Sequence, residues 1–191
     1  MDHYGLIGRS LSHSFSLSFF EKKFKDENIN AAYSNFELQS IDEVRSVFQT
    51  NDLKGLNVTI PYKELIIPFL DNLDELSSQI GSVNTIKVIK RNETTKYIGY
   101  NTDVFGFKQL IRPHIRSHHH KALILGTGGA SKAVAHVLMN YGLDINYISR
   151  KESKENLFNW NELNNNFIEH HLLIVNTTPL GMFPNDHELI P

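Results

Sequence analysis

The sequence predicts an α/β protein built from two domains. In both halves of the chain, short apolar segments alternate with segments of helical spacing, which is typical of sheets with helices packed on them. A polar, basic and histidine-rich run at residues 112–120 separates the halves and is typical of an exposed connection. The 191 residues are enough for two small domains. We therefore expect domains at residues 1–101 and 121–191, joined by a helix and linker at 102–120.

The elements predicted in the first half favour a mixed, mostly parallel sheet. Four phenylalanines at helical spacing predict a helix over residues 14–27. Ser40 and Glu43 form a capping-box pattern for a helix that ends near residue 48. A polar turn at residues 91–93 predicts a hairpin. The predicted strands cover residues 4–8, 32–38, 56–60, 85–90 and 96–100, and a further helix follows Pro61.

The second half has a β-α-β-α-β order that predicts part of a Rossmann domain. A buried strand at residues 122–125 leads through a glycine-rich turn into a helix at 130–141. The remaining pattern predicts a strand at 145–148, a polar helix at 153–164 and a strand at 172–175. We therefore expect an incomplete Rossmann unit with a parallel sheet of three strands.

Composition excludes several functional classes. The 19 basic and 21 acidic side chains give a net charge of −2, whereas a nucleic-acid-binding surface needs a basic excess. The absence of cysteine excludes disulfides and thiolate ligands, and the adjacent histidines at 118–120 lack the spacing of a helical metal site. No apolar run reaches the roughly 20 residues of a membrane span, and no signal-peptide pattern opens the chain. We expect a cytoplasmic protein that binds no metal, membrane or nucleic acid.

The glycine-rich turn of the second half predicts a dinucleotide-binding site. Its residues are Gly126, Thr127, Gly128, Gly129 and Ala130. Glycines here let the backbone approach a pyrophosphate, whose charge lies at the positive N-terminus of the helix. The spacing differs from the usual G-x-G-x-x-G, and a tight turn without a ligand is the alternative. The strand–turn–helix context favours binding.

The residues after the next strand favour NADP over NAD. NAD sites usually place an Asp or Glu at the end of this strand. Here the strand ends with Ser149 and Arg150, and Lys151 and Lys154 follow. Cationic side chains at this position bind a 2′-phosphate. A solvated basic loop is the alternative, and the nearby Glu152 weakens the cationic character.

Three polar clusters are candidates for a small-molecule site. Thr59 and Lys63 lie at the end of a predicted strand, and the lysine amine could transfer a proton if its surroundings tuned its pKa. Ser12, Ser14 and Ser16, near His13, could bind a carboxylate or could cap the following helix. Asp103 lies in a segment typical of a helix N-terminus. A solvated surface lysine is the alternative for Lys63.

Seven motifs, in this order, resemble the shikimate dehydrogenase family. Each is modestly specific, but the ordered set spans the whole chain and is highly specific. The motifs of the first half are Ser12-His13-Ser14-Phe15-Ser16, Asn57-Val58-Thr59-Ile60-Pro61-Tyr62-Lys63, Ser82-Val83-Asn84-Thr85 and Tyr100-Asn101-Thr102-Asp103. The motifs of the second half are Gly126-Thr127-Gly128-Gly129-Ala130-Ser131, Ser149-Arg150 and Asn176-Thr177-Thr178-Pro179-Leu180-Gly181-Met182.

The resemblance implies a reversible, NADPH-dependent reduction of 3-dehydroshikimate to shikimate, on the route to chorismate and the aromatic amino acids. It implies an N-terminal substrate domain and an NADP-binding Rossmann domain. Carried onto this sequence, it assigns Lys63 as the acid–base residue and Asp103 as its partner. The implied substrate ligands are Ser14, Ser16, Thr59, Lys63, Asn84 and Asp103. The implied NADP(H) ligands are residues 126–130, Ser149, Arg150, Lys151 and Lys154, with residues 177–182 beside the nicotinamide.

Departures from the family pattern leave two alternatives open. Ser149 replaces a frequent asparagine beside the 2′-phosphate arginine, which weakens the expected preference for NADP. Thr59 and the serines do not exclude the extra hydroxyl of quinate, so a quinate/shikimate dehydrogenase is one alternative. The chain is shorter than family members, so we expect it to lack a C-terminal part, and a binding fragment without turnover is the other alternative. We expect a small-molecule substrate as partner and a monomer or homodimer.

Overall fold

The polypeptide divides after Asn101 into two units, Met1–Asn101 and Thr102–Pro191. A computed structural model describes residues 1–150, 153–182, 187 and 189–190. Within these residues, each unit contains one sheet with its own helices. In the same ranges, no helix has both the length and the apolar character needed to cross a membrane.

The first unit contains a six-stranded mixed sheet. Its strands are β1 (Asp2–Gly8), β2 (Ala31–Glu37), β3 (Leu53–Val58), β4 (Asn72–Leu73), β5 (Thr85–Arg91) and β6 (Thr94–Tyr100). Their order is β2-β1-β3-β5-β6-β4. β1 pairs in parallel with β2 and β3, whereas β5 runs antiparallel to β3 and β6. The predicted mixed sheet and the predicted hairpin, β5–β6, are confirmed.

Short helices follow most of these strands. They are α1 (Phe15–Asp26), α2 (Val44–Val47), α3 (Tyr62–Leu65) and α4 (Glu75–Ile80), with 3-10 turns at Ile41–Glu43 and Ile67–Phe69. The predicted capping box of Ser40 and Glu43 is confirmed, although it begins a 3-10 turn that continues into α2. Asp74 caps α4 by accepting the Ser77 N–H at 3.0 Å.

Apolar side chains cover both faces of the first sheet. The larger cluster surrounds Ile7, and α1 packs on the opposite face through Phe20 and Phe24. Phe15 and Phe19 are 75% and 46% exposed. Because adjacent positions 19 and 20 lie about 100° apart around a helix, the four phenylalanines form two rows, and the row of Phe20 and Phe24 is half-buried against the sheet.

The second unit contains a four-stranded parallel sheet in its described part. Its strands are β7 (Lys121–Leu125), β8 (Asp144–Ser149), β9 (Leu157–Asn159) and β10 (Leu173–Asn176). Its helices are α5 (Asp103–Ile111), α6 (Gly129–Asn140) and α7 (Asn165–Glu169), with 3-10 turns at Arg112–His114 and Trp160–Glu162. The order β9-β8-β7-β10 is the 3-2-1-4 order of a Rossmann sheet, so the predicted partial Rossmann domain is confirmed.

The helix predicted at residues 153–164 is wrong. This segment forms β9 and a 3-10 turn, so the sheet has four described strands rather than the predicted three. Asn156 adopts a φ of 59°, which breaks the helical path before β9. Phe158 then packs against the apolar cluster around Ile148. The capping box of Asn159 and Glu162 starts only the 3-10 turn.

Candidate functional site

The strand register of the first unit brings predicted substrate residues together at the end of the sheet where β1, β3 and β6 finish, which we call the sheet edge. The residues that meet there, Ser14, Thr59, Lys63 and Asn84, are called the sheet-edge cluster. Opposite residues at this edge are Ile7 with Val58, Asn57 with Thr85, and Thr85 with Tyr100. β1, β3 and β6 end at this edge, and β5 begins there because it runs antiparallel to its partners. The connections that leave these strand ends carry Ser14, Thr59, Lys63 and Asn84.

Backbone hydrogen bonds fix these connections. The Thr59 N–H donates to a β1 carbonyl at 2.8 Å, and the last N–H of β3 donates to the Asn84 carbonyl at 2.8 Å. The Val83 N–H donates to the Lys63 carbonyl at 2.8 Å. Thr59, Lys63 and Asn84 are therefore held at neighbouring backbone positions, and all three are half-buried, which leaves them accessible to a ligand.

Lys63 lies on α3, and neighbouring residues anchor this short helix in the core. Tyr62 is 1% exposed and its hydroxyl donates to the Leu38 carbonyl, while Ile66 is fully buried. Lys63 is half-buried between them. A fixed helix with a partly accessible amine can deliver a proton to a bound ligand.

Ser14 and Ser16 lie at the start of α1. The Ser14 Oγ accepts the Ser16 N–H at 3.2 Å, so the predicted capping role of Ser14 is confirmed. Phe20 of α1 stacks on the Tyr33 ring, and the Tyr33 hydroxyl donates to Asn57 Oδ1 at 2.8 Å. Burial raises the pKa of Tyr33 to about 12, and the Ser16 side chain acts in the opposite direction. Sequence patterns do not indicate Tyr33, because its contacts join α1, β2 and β3.

Asp103 is the first residue of α5 and belongs to the second unit. The N-cap Thr102 makes no side-chain capping bond, and Asn101 Nδ2 donates to the Ser82 carbonyl at 2.9 Å. Asn101 is buried beside the motif that contains Asn84.

A cavity of about 540 Å³ lies on the α1 side of the first sheet. Apolar side chains form most of its lining, and Tyr33, Asn57 and Thr85 add polar groups. The cavity is separate from the sheet-edge cluster. None of the predicted substrate ligands of the first unit lines it: Ser14, Ser16, Thr59, Lys63 and Asn84.

In the second unit, the glycine-rich turn lies where the strand order reverses. β7 is central, and β8 and β10 pair with it on opposite sides. The Gly126 N–H donates to the Ile148 carbonyl at 2.8 Å. The N–H and hydroxyl of Thr177 both donate to the Leu125 carbonyl, at 2.9 and 2.7 Å. Such a switch point is where open α/β sheets bind ligands.

The geometry of this turn fits a dinucleotide pyrophosphate. Gly126 has a φ of +102°, which favours glycine, and a Cβ on Gly128 would meet nothing within 4 Å. The first turn of α6 has neither an acidic residue nor a side-chain cap. An anion can therefore bind at the helix N-terminus without competition from a side chain of that turn. Thr127, Gly129 and Ala130 are all partly exposed.

The predicted 2′-phosphate residues lie near the end of β8. Ile148 is the register partner of Leu125, so Ser149 follows at the level of the glycine-rich turn. Ser149 is buried and Arg150 is exposed. Lys154 is also exposed, and its backbone bridges to Leu157. Lys151 lies outside the described residues.

The histidine-rich connection forms a turn. The Arg116 N–H donates to His119 Nδ1 at 3.1 Å, and the rings of His118 and His119 pack edge to face at 4.4 Å. Desolvation and the neighbouring basic side chains lower the pKa of His119. Among residues 1–150, 153–182, 187 and 189–190, no group of three or more His, Asp or Glu side chains could hold a metal ion.

Comparisons with known proteins give consistent matches. The family model described as the shikimate dehydrogenase substrate binding domain matches residues 6–86. The curated shikimate dehydrogenase (NADP(+)) of Clostridium beijerinckii is 36% identical over 193 residues, which covers 96% of this chain and 70% of the relative.

Solved structures agree with these matches. Shikimate dehydrogenase 1 from Peptoclostridium difficile superimposes with a TM-score of 0.81 at 37% identity, covering 97% of this chain and 69% of that one. A shikimate dehydrogenase solved in complex with NADP+ gives a TM-score of 0.74 at 30% identity, covering 100% of this chain and 71% of that one. The resemblance seen in the motifs is confirmed, and the chain belongs to the shikimate dehydrogenase family.

Proposed function

We propose that this chain catalyses the reversible NADPH-dependent reduction of 3-dehydroshikimate to shikimate, a step toward chorismate. The observation that carries the proposal is the sheet edge of the first unit, where Thr59, Lys63 and Asn84 are neighbours in the backbone. Family membership supports it, since curated relatives are named shikimate dehydrogenase (NADP(+)).

The substrate offers a carboxylate and ring hydroxyls, which need different partners. The hydroxyls of Ser14 and Ser16 can donate to the carboxylate at the positive end of α1, whose first turn carries no acidic residue. The Thr59 hydroxyl and the Asn84 amide can each donate and accept hydrogen bonds, which suits ring hydroxyls.

Lys63 is the proposed acid. Reduction of a ketone places negative charge on its oxygen, and an ammonium within hydrogen-bonding distance stabilises that charge and then donates the proton. In the reverse direction, the neutral amine accepts the proton from the hydroxyl. The Asp103 carboxylate is proposed to orient the amine and to accept a hydrogen bond from a ring hydroxyl.

The second unit is proposed to hold the cofactor. NADPH supplies the hydride when it is bound. Residues 126–130 would hold the pyrophosphate through backbone N–H groups. Arg150, with its planar array of donors, would bind the 2′-phosphate beside Ser149, and Lys151 and Lys154 would add positive charge.

Equilibrium binding tests this proposal. Isothermal titration calorimetry with shikimate, quinate, NADP+ and NAD+ is expected to show tighter binding of shikimate than of quinate and of NADP+ than of NAD+. Equal affinities for shikimate and quinate would favour the quinate/shikimate alternative. A chain that binds neither shikimate nor NADP+ would refute the proposal.

A further inference from the structure

Asn101 is a buried polar side chain that the mechanism proposed above does not use. It follows β6 directly and is 5% exposed. An amide in the interior costs free energy unless it is hydrogen-bonded, so a specific partner is expected at this position. The Ser82 carbonyl supplies one, because it accepts a hydrogen bond from Asn101 Nδ2 at 2.9 Å.

The bond from Asn101 ends on a peptide group that also contacts the helix of Lys63. The Ser82 carbonyl and the Val83 N–H are the two ends of one peptide group, which is planar and rigid. The N–H end donates to the Lys63 carbonyl at 2.8 Å. A single peptide group therefore links the Asn101 amide, at the end of β6, with the main chain of Lys63 on α3.

The surroundings of this peptide group strengthen both bonds. Ser82 and Val83 are each 0% exposed. In a low-dielectric interior, consecutive hydrogen bonds polarise one another and are stronger than in water. Donation from Asn101 to the carbonyl end therefore strengthens donation from the N–H end to Lys63. Loss of the first bond is expected to loosen the second.

Asn84, the next proposed ligand along the chain, is held by other bonds. Its N–H donates to the Tyr100 carbonyl at 3.0 Å, and its carbonyl accepts the Val58 N–H at 2.8 Å. These two bonds continue the pairing of β5 with the strands on either side of it. Loss of the Asn101 bond should therefore displace Lys63 more than Asn84.

We propose that Asn101 is a positioning residue for the proton transfer: its amide, acting through the Ser82–Val83 peptide, holds α3 so that the Lys63 amine reaches the substrate oxygen. This inference rests on the proposed function, because it requires Lys63 to be the acid. An Asn101 that serves only the stability of the fold would lower Tm and leave kcat unchanged at temperatures where the variant is folded.

Asn101→Leu tests the inference, because leucine is close to asparagine in size and cannot donate a hydrogen bond. Well below the Tm of the variant, kcat for shikimate oxidation with NADP+ is expected to fall about tenfold to a hundredfold, since a displacement of about 1 Å can cost a factor of about 100. The KM of shikimate should change less, because Asn84 keeps its own bonds.

Tyr97→Phe is the matched control. The Tyr97 hydroxyl donates to the Phe48 carbonyl at 3.1 Å in the same unit, so this variant also loses one bond from a side chain to the backbone. Its Tm may be compared directly with that of Asn101→Leu, and its kcat should equal the wild-type value. An equal fall of kcat in both variants would assign the effect to general destabilisation and overturn the inference.

A double variant separates positioning from stability. In a Lys63→Ala background, Asn101→Leu should cause no further loss of kcat, since the residue acts through Lys63. Independent losses that multiply, or a loss confined to KM, would overturn the inference. Asn101→Ser is the second variant, because its hydroxyl ends one bond short of the amide nitrogen. If Asn101→Leu does not fold, a normal kcat in Asn101→Ser overturns the inference.

The wild-type arm distinguishes this inference from the function on which it rests. A wild-type chain without turnover rejects the proposed function and this inference with it. A wild-type chain that oxidises shikimate, beside a folded Asn101→Leu variant with normal kcat, rejects the inference alone.

Discussion

Lys63 is the residue on which the proposed chemistry depends most. Its carbonyl accepts the Val83 N–H and its neighbour Tyr62 is buried, so truncation of the side chain leaves α3 anchored. We expect Lys63→Ala to lower kcat by about 10² to 10⁴, the range for loss of a general acid. The change in KM should be smaller, because the interaction strengthens mainly in the transition state. Steady-state kinetics measure both constants.

Two further variants belong in the same kinetic experiment: a control at an exposed lysine and a variant of the proposed partner Asp103. Lys54→Ala removes an exposed lysine of β3 that pairs with Asp2 at 3.5 Å, and kcat should not change. Asp103→Asn should also lower kcat, and its loss combined with Lys63→Ala should be less than additive, as for residues that act as a unit. A Lys63→Ala variant with near-normal kcat and a raised KM would assign the lysine to substrate anchoring and end its role as the acid.

Arg150 is the residue to which we assign the expected preference for NADP over NAD. Because it is exposed near the end of β8, Arg150→Ala should leave the fold unchanged. We expect the Kd of NADP+ to rise about tenfold to a hundredfold, as for loss of charged hydrogen bonds worth about 1.5–3 kcal/mol. The Kd of NAD+ should barely change. Fluorescence titration measures both, with the exposed Arg112→Ala as a control, and equal losses for the two cofactors would assign Arg150 to the fold.

Tyr33 gives the protein an alkaline pH dependence. Burial raises its pKa from the ordinary value of 10.0 to about 12, and burial also raises the pKa of Tyr97 and of Tyr147. A pKa raised by folding stabilises the native state below the unfolded value, and this stability is lost as the pH rises through the folded value. Urea denaturation should therefore show a falling free energy of unfolding from pH 10 to about 12. The fall should be shallower in Tyr33→Phe, and an identical slope in the variant would contradict the assignment.

Among the elements, those with a period, a capping box or a glycine signal could be predicted from the sequence, and some of the shortest could not. α1, β7 and α6 carry clear periods or glycine signals, and the structure contains all three. β4 has two residues and α4 has six, which are too few to show a period. At residues 153–164 the polar pattern predicts a helix, but pairing with β8 places a strand at Leu157–Asn159 and the capping box starts only a 3-10 turn.

Two glycines of the glycine-rich turn are expected to serve different purposes. Gly126 is required by the backbone conformation, whereas Gly128 leaves space for the cofactor. Gly126→Ala would place a Cβ 3.0 Å from Thr177 Oγ1 at a φ of +102°, so we expect a loss of stability of about 1–3 kcal/mol. Gly128→Ala adds a methyl group where nothing lies within 4 Å, so Tm should hold while the Kd of NADP+ rises. Thermal denaturation and cofactor titration of both variants check this contrast. Equal Tm values for the two variants would contradict it.

At the scale of the whole molecule, the sequence predicts candidate ligands but not how the fold brings them together. The motifs at residues 57–63 and 82–85 predict Thr59, Lys63 and Asn84, but only the antiparallel β5 makes Asn84 a neighbour of β3. The contacts of Tyr33 could not be predicted, because they join Phe20 and Asn57 across elements that share no local pattern. Long-range register therefore supplies the part of the site that motifs do not.

The first unit carries the proposed substrate residues and the second unit carries the proposed dinucleotide turn, and turnover would need both ligands at once. The most direct test is the absorbance at 340 nm after the purified chain is mixed with shikimate and NADP+. We predict a steady increase that requires both ligands, is smaller with NAD+ or quinate, and is lost in Lys63→Ala. A wild-type chain that binds shikimate and NADP+ but produces no increase would contradict the proposed catalysis and identify a binding protein without turnover.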